Sequence, residues 1–152
     1  MMQKELKYIG IDPGVKTGFA VYNPIEKKIE LETIQLHQGF FKVLRLRQEF
    51  EIEIVIEDPN KWTFFKKEDT SAGARRQGAG SVKRDFKAWK DFFEDFNIPF
   101  YPVRPERLRN QHAKDEVLFR RITGYTGKSS EHARVAGMLV WQRNPGFKRI
   151  DK

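Results

Sequence analysis

Cysteine is absent from the 152 residues of this sequence, and long hydrophobic runs are absent as well. Without cysteine there are no disulfide bonds, no thiolate nucleophile and no cysteine zinc site. No segment approaches the ~18 consecutive apolar residues that a membrane-spanning helix needs. The apolar run that starts at Tyr8 is interrupted by Asp12, which is unlike the core of a signal peptide. We therefore expect a soluble, cytoplasmic protein that has no membrane partner.

The chain carries an excess of positive charge. It carries 29 Lys and Arg against 21 Asp and Glu, a net charge of +8 at pH 7, and such an excess attracts polyanions such as nucleic acids. Many basic proteins are merely soluble, so charge alone does not assign a function. The 13 Phe, 4 Tyr and 3 Trp residues supply enough apolar surface to exclude a disordered chain. Since about 100–200 residues are typical of one domain, we predict one domain over residues 1–152.

The hydrophobic pattern of the first half predicts a sheet. Two β-rich runs flank a glycine-rich turn within 7–23, and Ile29, Leu31 and Thr33 alternate with charged residues as a third strand. These runs predict an antiparallel meander. A helix over 40–50 and a strand over 52–58 follow, so the pattern indicates a mixed α/β fold.

Helical periodicity dominates the second half. Its strongest helix is predicted from Ser81, the expected N-cap, whereas the segment 61–80 before it shows no period. The aromatic residues that we expect this helix to bury are Phe86, Trp89, Phe93 and Phe96. A short strand over 99–104, a helical turn over 105–110 and a helix over 113–122 come next. The last helix is predicted from Ser129 or Ser130 to about residue 143.

Acidic residues stand at the ends of two apolar strands. Asp12 ends the first strand, and Glu57 and Asp58 end the strand over 52–58. A carboxylate next to apolar residues is costly unless a positive group meets it, and the candidates are a metal ion or an arginine. If the two strands are neighbours, the carboxylates converge in an oxygen-rich site that suits Mg²⁺ or Mn²⁺. The alternative is that Asp12 caps a turn while Glu57 or Asp58 forms an ordinary salt bridge.

The last helix contributes two further polar residues. Glu131 and His132 lie in its first turn, where the positive end of the helix favours a carboxylate. A single histidine on a helix is usually structural. The pair therefore adds only modestly to the metal hypothesis.

Five ordered segments carry a family resemblance: Ile9–Val21 (IGIDPGVKTGFAV), Val55–Pro59 (VIEDP), Gly78–Asp85 (GAGSVKRD), Ala113–Val117 (AKDEV) and Ser130–Ala136 (SEHARVA). In this order they resemble the motifs of RuvC-type Holliday-junction resolvases, especially those of the phage-type branch. The resemblance extends over most of the chain. An ordered set of five segments is far more specific than any one of them.

The resemblance implies a ribonuclease H-like α/β fold, in which a five-stranded mixed sheet of antiparallel and parallel strands has helices on both faces. It also implies a homodimer that cuts four-way or other branched DNA junctions in recombination and repair. Members of the family use two Mg²⁺ ions, for which Mn²⁺ substitutes, to clamp the attacking water and the leaving oxygen. By position, Asp12, Glu57 and His132 match metal ligands, and Lys114 matches a catalytic lysine near the scissile phosphate.

One position departs from the family pattern. Where the last motif has a fourth acidic ligand this chain has Val135, which cannot bind a metal. We expect weak metal binding and slow or absent cleavage, unless Glu131 or Asp58 serves as a substitute ligand. Three hypotheses remain: a junction endonuclease, a catalytically impaired protein that binds branched DNA, and an RNA-directed nuclease of the same fold.

Basic residues gather between the second acidic motif and the long helix. They are Lys61, Lys66, Lys67, Arg75, Arg76, Lys83 and Arg84. Because the phosphates of a substrate must approach the metals, we predict that these residues bind DNA. Trp62, Phe64 and Phe65 are interleaved with them, and they either stack at a branch point or pack beneath the segment.

Overall fold

A five-stranded mixed sheet lies at the centre of the computed structural model, which describes residues 3–61 and 72–143, the side chains of 72–79 excepted. Its strands are β1 (Leu6–Asp12), β2 (Thr17–Asn23), β3 (Lys28–Ile34), β4 (Glu51–Glu57) and β5 (Phe100–Val103). They lie in the order β3-β2-β1-β4-β5. β1, β2 and β3 pair antiparallel, whereas β4 is parallel to β1 and β5 is parallel to β4. The predicted meander is therefore confirmed.

Helices cover both faces of the sheet. They are α1 (Leu36–Glu49), α2 (Ala72–Asp95), α3 (Arg107–Lys114), α4 (Glu116–Thr123) and α5 (Glu131–Val140), and a 3₁₀ turn occupies Pro59–Lys61. α1 and α2 pack on one face around Trp89, while α4 and α5 pack on the other around Phe119. Within the described ranges, no helix combines the length and the hydrophobicity that a bilayer crossing requires.

The side chains of β1 and β4 divide the core between these faces. Ile9 and Ile11 of β1 belong to the α1 and α2 face, whereas Tyr8 belongs to the α5 face. This division follows from the period of two along a strand. Because both faces are covered by helices, β1 is apolar from Tyr8 to Ile11 and β4 from Ile54 to Ile56, just before their acidic last residues.

The boundaries of α2 differ from the prediction. The helix begins at Ala72, so Ser81 lies inside it and is not its N-cap. Three glycines within 73–80 weaken the sequence signal there, but the Ala, Arg and Gln residues between them are strong helix formers. Phe96, expected in the core, lies just after the helix ends and is 45% exposed.

The following helices are also divided differently from the prediction. Ala113 and Lys114 end α3 instead of starting the next helix. Asp115 then caps α4, since its side chain accepts a hydrogen bond from the backbone N–H of Leu118 at 3.1 Å. Ser130 is the N-cap of α5, as expected, because its hydroxyl accepts from the N–H of Ala133.

Two glycines allow α5 to approach the sheet closely. A Cβ atom at Gly10 in β1 would overlap the carbonyl oxygen of Ala136, and one at Gly18 in β2 would overlap that of His132. Both obstacles are backbone atoms of α5, which a rotamer change cannot move. Glycine at these positions therefore sets the distance between the start of α5 and the end of β1.

We predict that Gly10→Ala lowers the free energy of unfolding by about 1–3 kcal/mol, because the added methyl group must push α5 away from the sheet. Gly80→Ala is the matched control: nothing lies within 4 Å of a Cβ there, and alanine in place of a helical glycine is stabilising by up to about 1 kcal/mol. Urea unfolding followed by circular dichroism measures both. Equal stabilities for Gly10→Ala and the wild type would contradict the proposed close packing.

Candidate active site

The acidic ends of β1 and β4 lie side by side. The two strands are parallel with Ile11 opposite Ile56, so Asp12 and Glu57 are the next residues on neighbouring strands. Asp12 is 8% exposed and the side chain of Glu57 is 13% exposed. The predicted convergence of these two carboxylates is confirmed.

Burial makes both carboxylates reluctant to ionise. Loss of solvent is the main cause that raises the pKa of Glu57 to about 7, the charge of Asp12 adds to it, and Arg109 only partly opposes it. Burial likewise raises the pKa of Asp12, against the effect of a hydrogen bond from His132. A further cation next to Asp12 and Glu57, in addition to Arg109, would therefore stabilise their ionised forms.

His132 reaches this pair from the first turn of α5. Its Nδ1 lies 3.0 Å from Oδ2 of Asp12, and the hydrogen bond is the main cause that raises the pKa of His132. The imidazole is 57% exposed, so solvent reaches the ring. Glu131 is exposed beside it, and its charge acts on both Asp12 and His132. The structure thus brings three of the predicted residues together and leaves Glu131 at their margin.

Arg109 of α3 is a site residue that the sequence analysis missed. Its Nη2 lies 3.3 Å from Oε2 of Glu57, and the two side chains are 15% and 13% exposed. The side chain of Asn110 also lowers the pKa of Glu57. The available signal was topological: α3 follows β5, which is parallel to β4 and ends at the same edge. A basic residue just after such a strand is placed to meet the carboxylates.

A second buried arginine fixes the position of α5 against α3 and α4. Arg134 donates from Nε to the carbonyl of Ala113 at 2.5 Å and from Nη1 to Glu116 at 3.1 Å. Nη1 also donates to the carbonyl of Ser129 at 2.9 Å, and Nη2 lies 3.5 Å from the carbonyl of Lys114. The Lys114 side chain itself is exposed at the end of α3. This clamp ties the helix that carries His132 to the helix that carries Lys114.

Two other predicted site residues are committed to the backbone. The Asp58 carboxylate accepts a hydrogen bond from the N–H of Asn60 at 2.9 Å and is 7% exposed, so it caps the 3₁₀ turn. The ammonium of Lys61 donates to the carbonyl of Pro102 at 3.1 Å. Asp58 therefore caps a turn and forms no salt bridge in these contacts, whereas the salt bridge of the alternative is found at Glu57, with Arg109.

The donor set fits one hard divalent ion better than two. Asp12 and Glu57 offer carboxylate oxygens, and His132 adds a nitrogen, but within the part of the chain that the structure describes no three Asp, Glu or His side chains enclose an ion. Val135, which the family resemblance aligns with a fourth ligand, is an apolar side chain that is 7% exposed. Mg²⁺ is commonly held by one or two carboxylates, with waters and substrate phosphates completing its shell.

Only part of the predicted DNA-binding segment can be located. Lys83 and Arg84 are exposed on α2, and the guanidinium of Arg84 donates to the hydroxyl of Ser81 at 3.3 Å. The remaining predicted residues lie outside the described residues or among the side chains not described: Trp62, Phe64, Phe65, Lys66, Lys67, Arg75 and Arg76.

Comparison with known proteins adds a likeness at the level of the fold. A similar solved structure is RuvC of T. thermophilus in complex with a Holliday junction substrate, with 17% sequence identity and a TM-score of 0.59 over 90% of this chain and 91% of that chain. No family model matches the sequence, and no curated protein matches it. At this identity the likeness establishes the fold, and the predicted ribonuclease H-like fold is confirmed. The phage-type branch stays a prediction.

The raised pKa of Glu57 predicts how stability depends on pH. The folded protein keeps the proton up to about pH 7, whereas the unfolded chain releases it near 4.5. Between these values the folded state binds more protons, so the ionisation of Glu57 lowers the free energy of unfolding as pH rises, by about 3 kcal/mol in total.

We predict that Glu57→Gln removes this loss of stability at high pH. Urea unfolding in EDTA at pH 4.5 and pH 8 measures the difference, and Glu49→Gln, at the exposed end of α1, is the control that keeps the wild-type difference. If Glu57→Gln loses as much stability between the two pH values as the wild type, Glu57 is not the group responsible.

Proposed function

We propose that this protein is a RuvC-like, structure-selective DNA endonuclease that hydrolyses phosphodiesters at four-way or other branched junctions and requires a divalent cation. One observation carries the proposal. Asp12, which is buried, and Glu57, which is largely buried, lie side by side at the carboxyl ends of parallel strands, with His132 hydrogen-bonded to Asp12, in a fold similar to that of a protein solved with a Holliday junction.

The residues of the site divide the work of hydrolysis. Mg²⁺, or Mn²⁺ in its place, would be held by Asp12 and Glu57 and would supply Lewis-acid polarisation of the phosphate and a more acidic water. Proton exchange is assigned to His132, which is half-exposed and hydrogen-bonded to Asp12. Lys114, exposed at the end of α3, is assigned to the negative charge that develops on the phosphate.

The substrate surface is assigned to α2. Lys83 and Arg84 are exposed on this helix, and their charges are available to phosphates. Contacts of this kind fix the position of DNA without reading its sequence, as selection by shape requires. The proposal includes a homodimer, since cutting two strands of a four-way junction symmetrically takes two active sites.

A second candidate function is junction binding with impaired cleavage. Val135 supplies no carboxylate where the family pattern has one, and the carboxylates that are present already have protein partners in Arg109 and His132. Neither feature affects the exposed basic residues of α2. The two candidates therefore share the substrate and differ only in turnover.

We predict that the protein binds a synthetic four-way junction more tightly than a linear duplex and cleaves it slowly in Mg²⁺ or Mn²⁺. Val135→Asp adds a carboxylate beside the site, and we expect it to raise the cleavage rate by about tenfold, which corresponds to ~1.4 kcal/mol of barrier. Val135→Asn is the control with a similar shape and no charge. Gel shifts measure binding, single-turnover assays measure cleavage, and light scattering of the complex is expected to find two chains per junction.

The outcomes separate the candidates. Equal binding of junction and duplex would overturn the proposed function, and preferred cleavage of an RNA–DNA hybrid would replace it by an RNA-directed nuclease. Tight junction binding without cleavage, even in Val135→Asp, supports the second candidate. Equal rates for Val135→Asp and Val135→Asn would mean that residue 135 is not at the fourth ligand position. Asp12→Asn is expected to bind the junction and not to cut it.

The proposed DNA surface gives a separate prediction. Lys83→Gln and Arg84→Gln are each expected to weaken binding of junction and duplex alike and to lower the salt slope of the binding constant by about one. Lys90→Gln is the matched control, because residue 90 is also exposed and follows residue 83 by two helical turns, about 10 Å along α2. Fluorescence anisotropy across a salt series measures all three. An effect of Lys90→Gln as large as that of Lys83→Gln would argue against a local phosphate contact.

A further inference from the structure

The surroundings of Arg109 distinguish it from a purely structural arginine. Its guanidinium lies against three acceptors: Glu57 at 3.3 Å, the carbonyl of Arg104 at 2.7 Å and Glu106 at 3.5 Å. Its Nε is buried without a partner, and an unsatisfied buried donor costs stability. The guanidinium of Arg109 is therefore placed to contact the charge of Glu57, although its Nε is left without a hydrogen bond.

Arg134 provides the comparison within the same chain. It is 7% exposed, and its nitrogens bond Glu116, Ser129 and the carbonyls of Ala113 and Lys114, as expected of an arginine that holds helices together. Arg134 contacts neither site carboxylate in these hydrogen bonds. Arg109 has fewer backbone contacts and is the arginine that faces the carboxylates.

The charge of Arg109 acts on both carboxylates of the site, directly on Glu57 and at longer range on Asp12. This is where a divalent ion bound by Asp12 and Glu57 would have to place its own positive charge. An arginine and an ion in adjacent positions repel each other. The same acceptor oxygen of Glu57 also cannot serve both fully.

We propose that Arg109 is a built-in cation of this site, which pairs with Glu57 in the free protein, weakens the binding of divalent ions and limits the site to one of them. The inference rests on the proposed function, since it assigns Arg109 a role toward the ion that the nuclease requires. On this proposal the ion pair between Arg109 of α3 and Glu57 of β4 is an autoinhibitory contact. The ion must compete with Arg109 for Glu57.

Titration of the full-length protein with Mn²⁺ alone, without DNA, tests this inference. Calorimetry or the electron paramagnetic resonance signal of free Mn²⁺ gives the affinity and the number of ions. Arg109→Gln is expected to bind Mn²⁺ at least about tenfold more tightly than the wild type, because a like charge next to the ion is removed. Arg109→Lys keeps the charge and is expected to remain within about threefold of the wild type. Arg107→Gln, an exposed position on the same helix, is the control for net charge and is expected to change nothing.

Mn²⁺ affinity of Arg109→Gln that equals or falls below the wild-type value overturns the inference, and so does an equally strong gain in Arg107→Gln. Circular dichroism establishes that each variant is folded. Should Arg109→Gln not fold, Arg109→Met is titrated instead, and the comparison with Arg109→Lys decides in the same way. Failure of the proposed function would appear separately, as a wild type that neither prefers nor cuts a junction whatever its Mn²⁺ affinity.

Discussion

The parallel pairing of β1 with β4 is the constraint on which the rest of the site depends. It places Asp12 and Glu57 next to each other at the carboxyl ends of their strands, where burial opposes ionisation of both and the charge of Asp12 adds to this effect at Glu57. Two like charges in a poorly solvated place are stable only with compensating cations. Arg109 of α3 and His132 of α5 both contact these carboxylates, and the ion that we propose would add further positive charge.

Helix packing places His132 and Arg109 next to the two carboxylates. His132 meets Asp12 because glycines at 10 and 18 let the backbone of α5 lie against β1 and β2. Arg134 then ties α5 to the junction of α3 and α4. Since α3 also carries Arg109, the same packing that delivers the imidazole to one carboxylate delivers the guanidinium to the other. The positions of His132 and Arg109 therefore depend on the same helix packing.

The strands and their acidic ends could be predicted from the sequence because they depend on local pattern. An apolar run that ends in Asp12 or Glu57 already indicates a buried strand whose last residue is polar. Arg109 was missed because its contact with Glu57 joins residues 52 positions apart and exists only once α3 has docked. The start of α2 was missed for a different reason: the glycines of 73–80 hide a helix that its neighbouring residues support.

Val135 and Arg109 bear on the same quantity, the net charge of the site. Compared with a site of four donors, valine at 135 removes one negative charge, and an arginine beside Glu57 adds one positive charge. Together they make the site more positive by two units, which is the charge of one divalent ion. A site altered in this way reaches electrical balance with one ion fewer, so the two features act in the same direction and are better understood as one change than as two independent losses. On this view Val135→Asp alone leaves Arg109 still opposing a second ion, and restoring a two-ion site would take both substitutions.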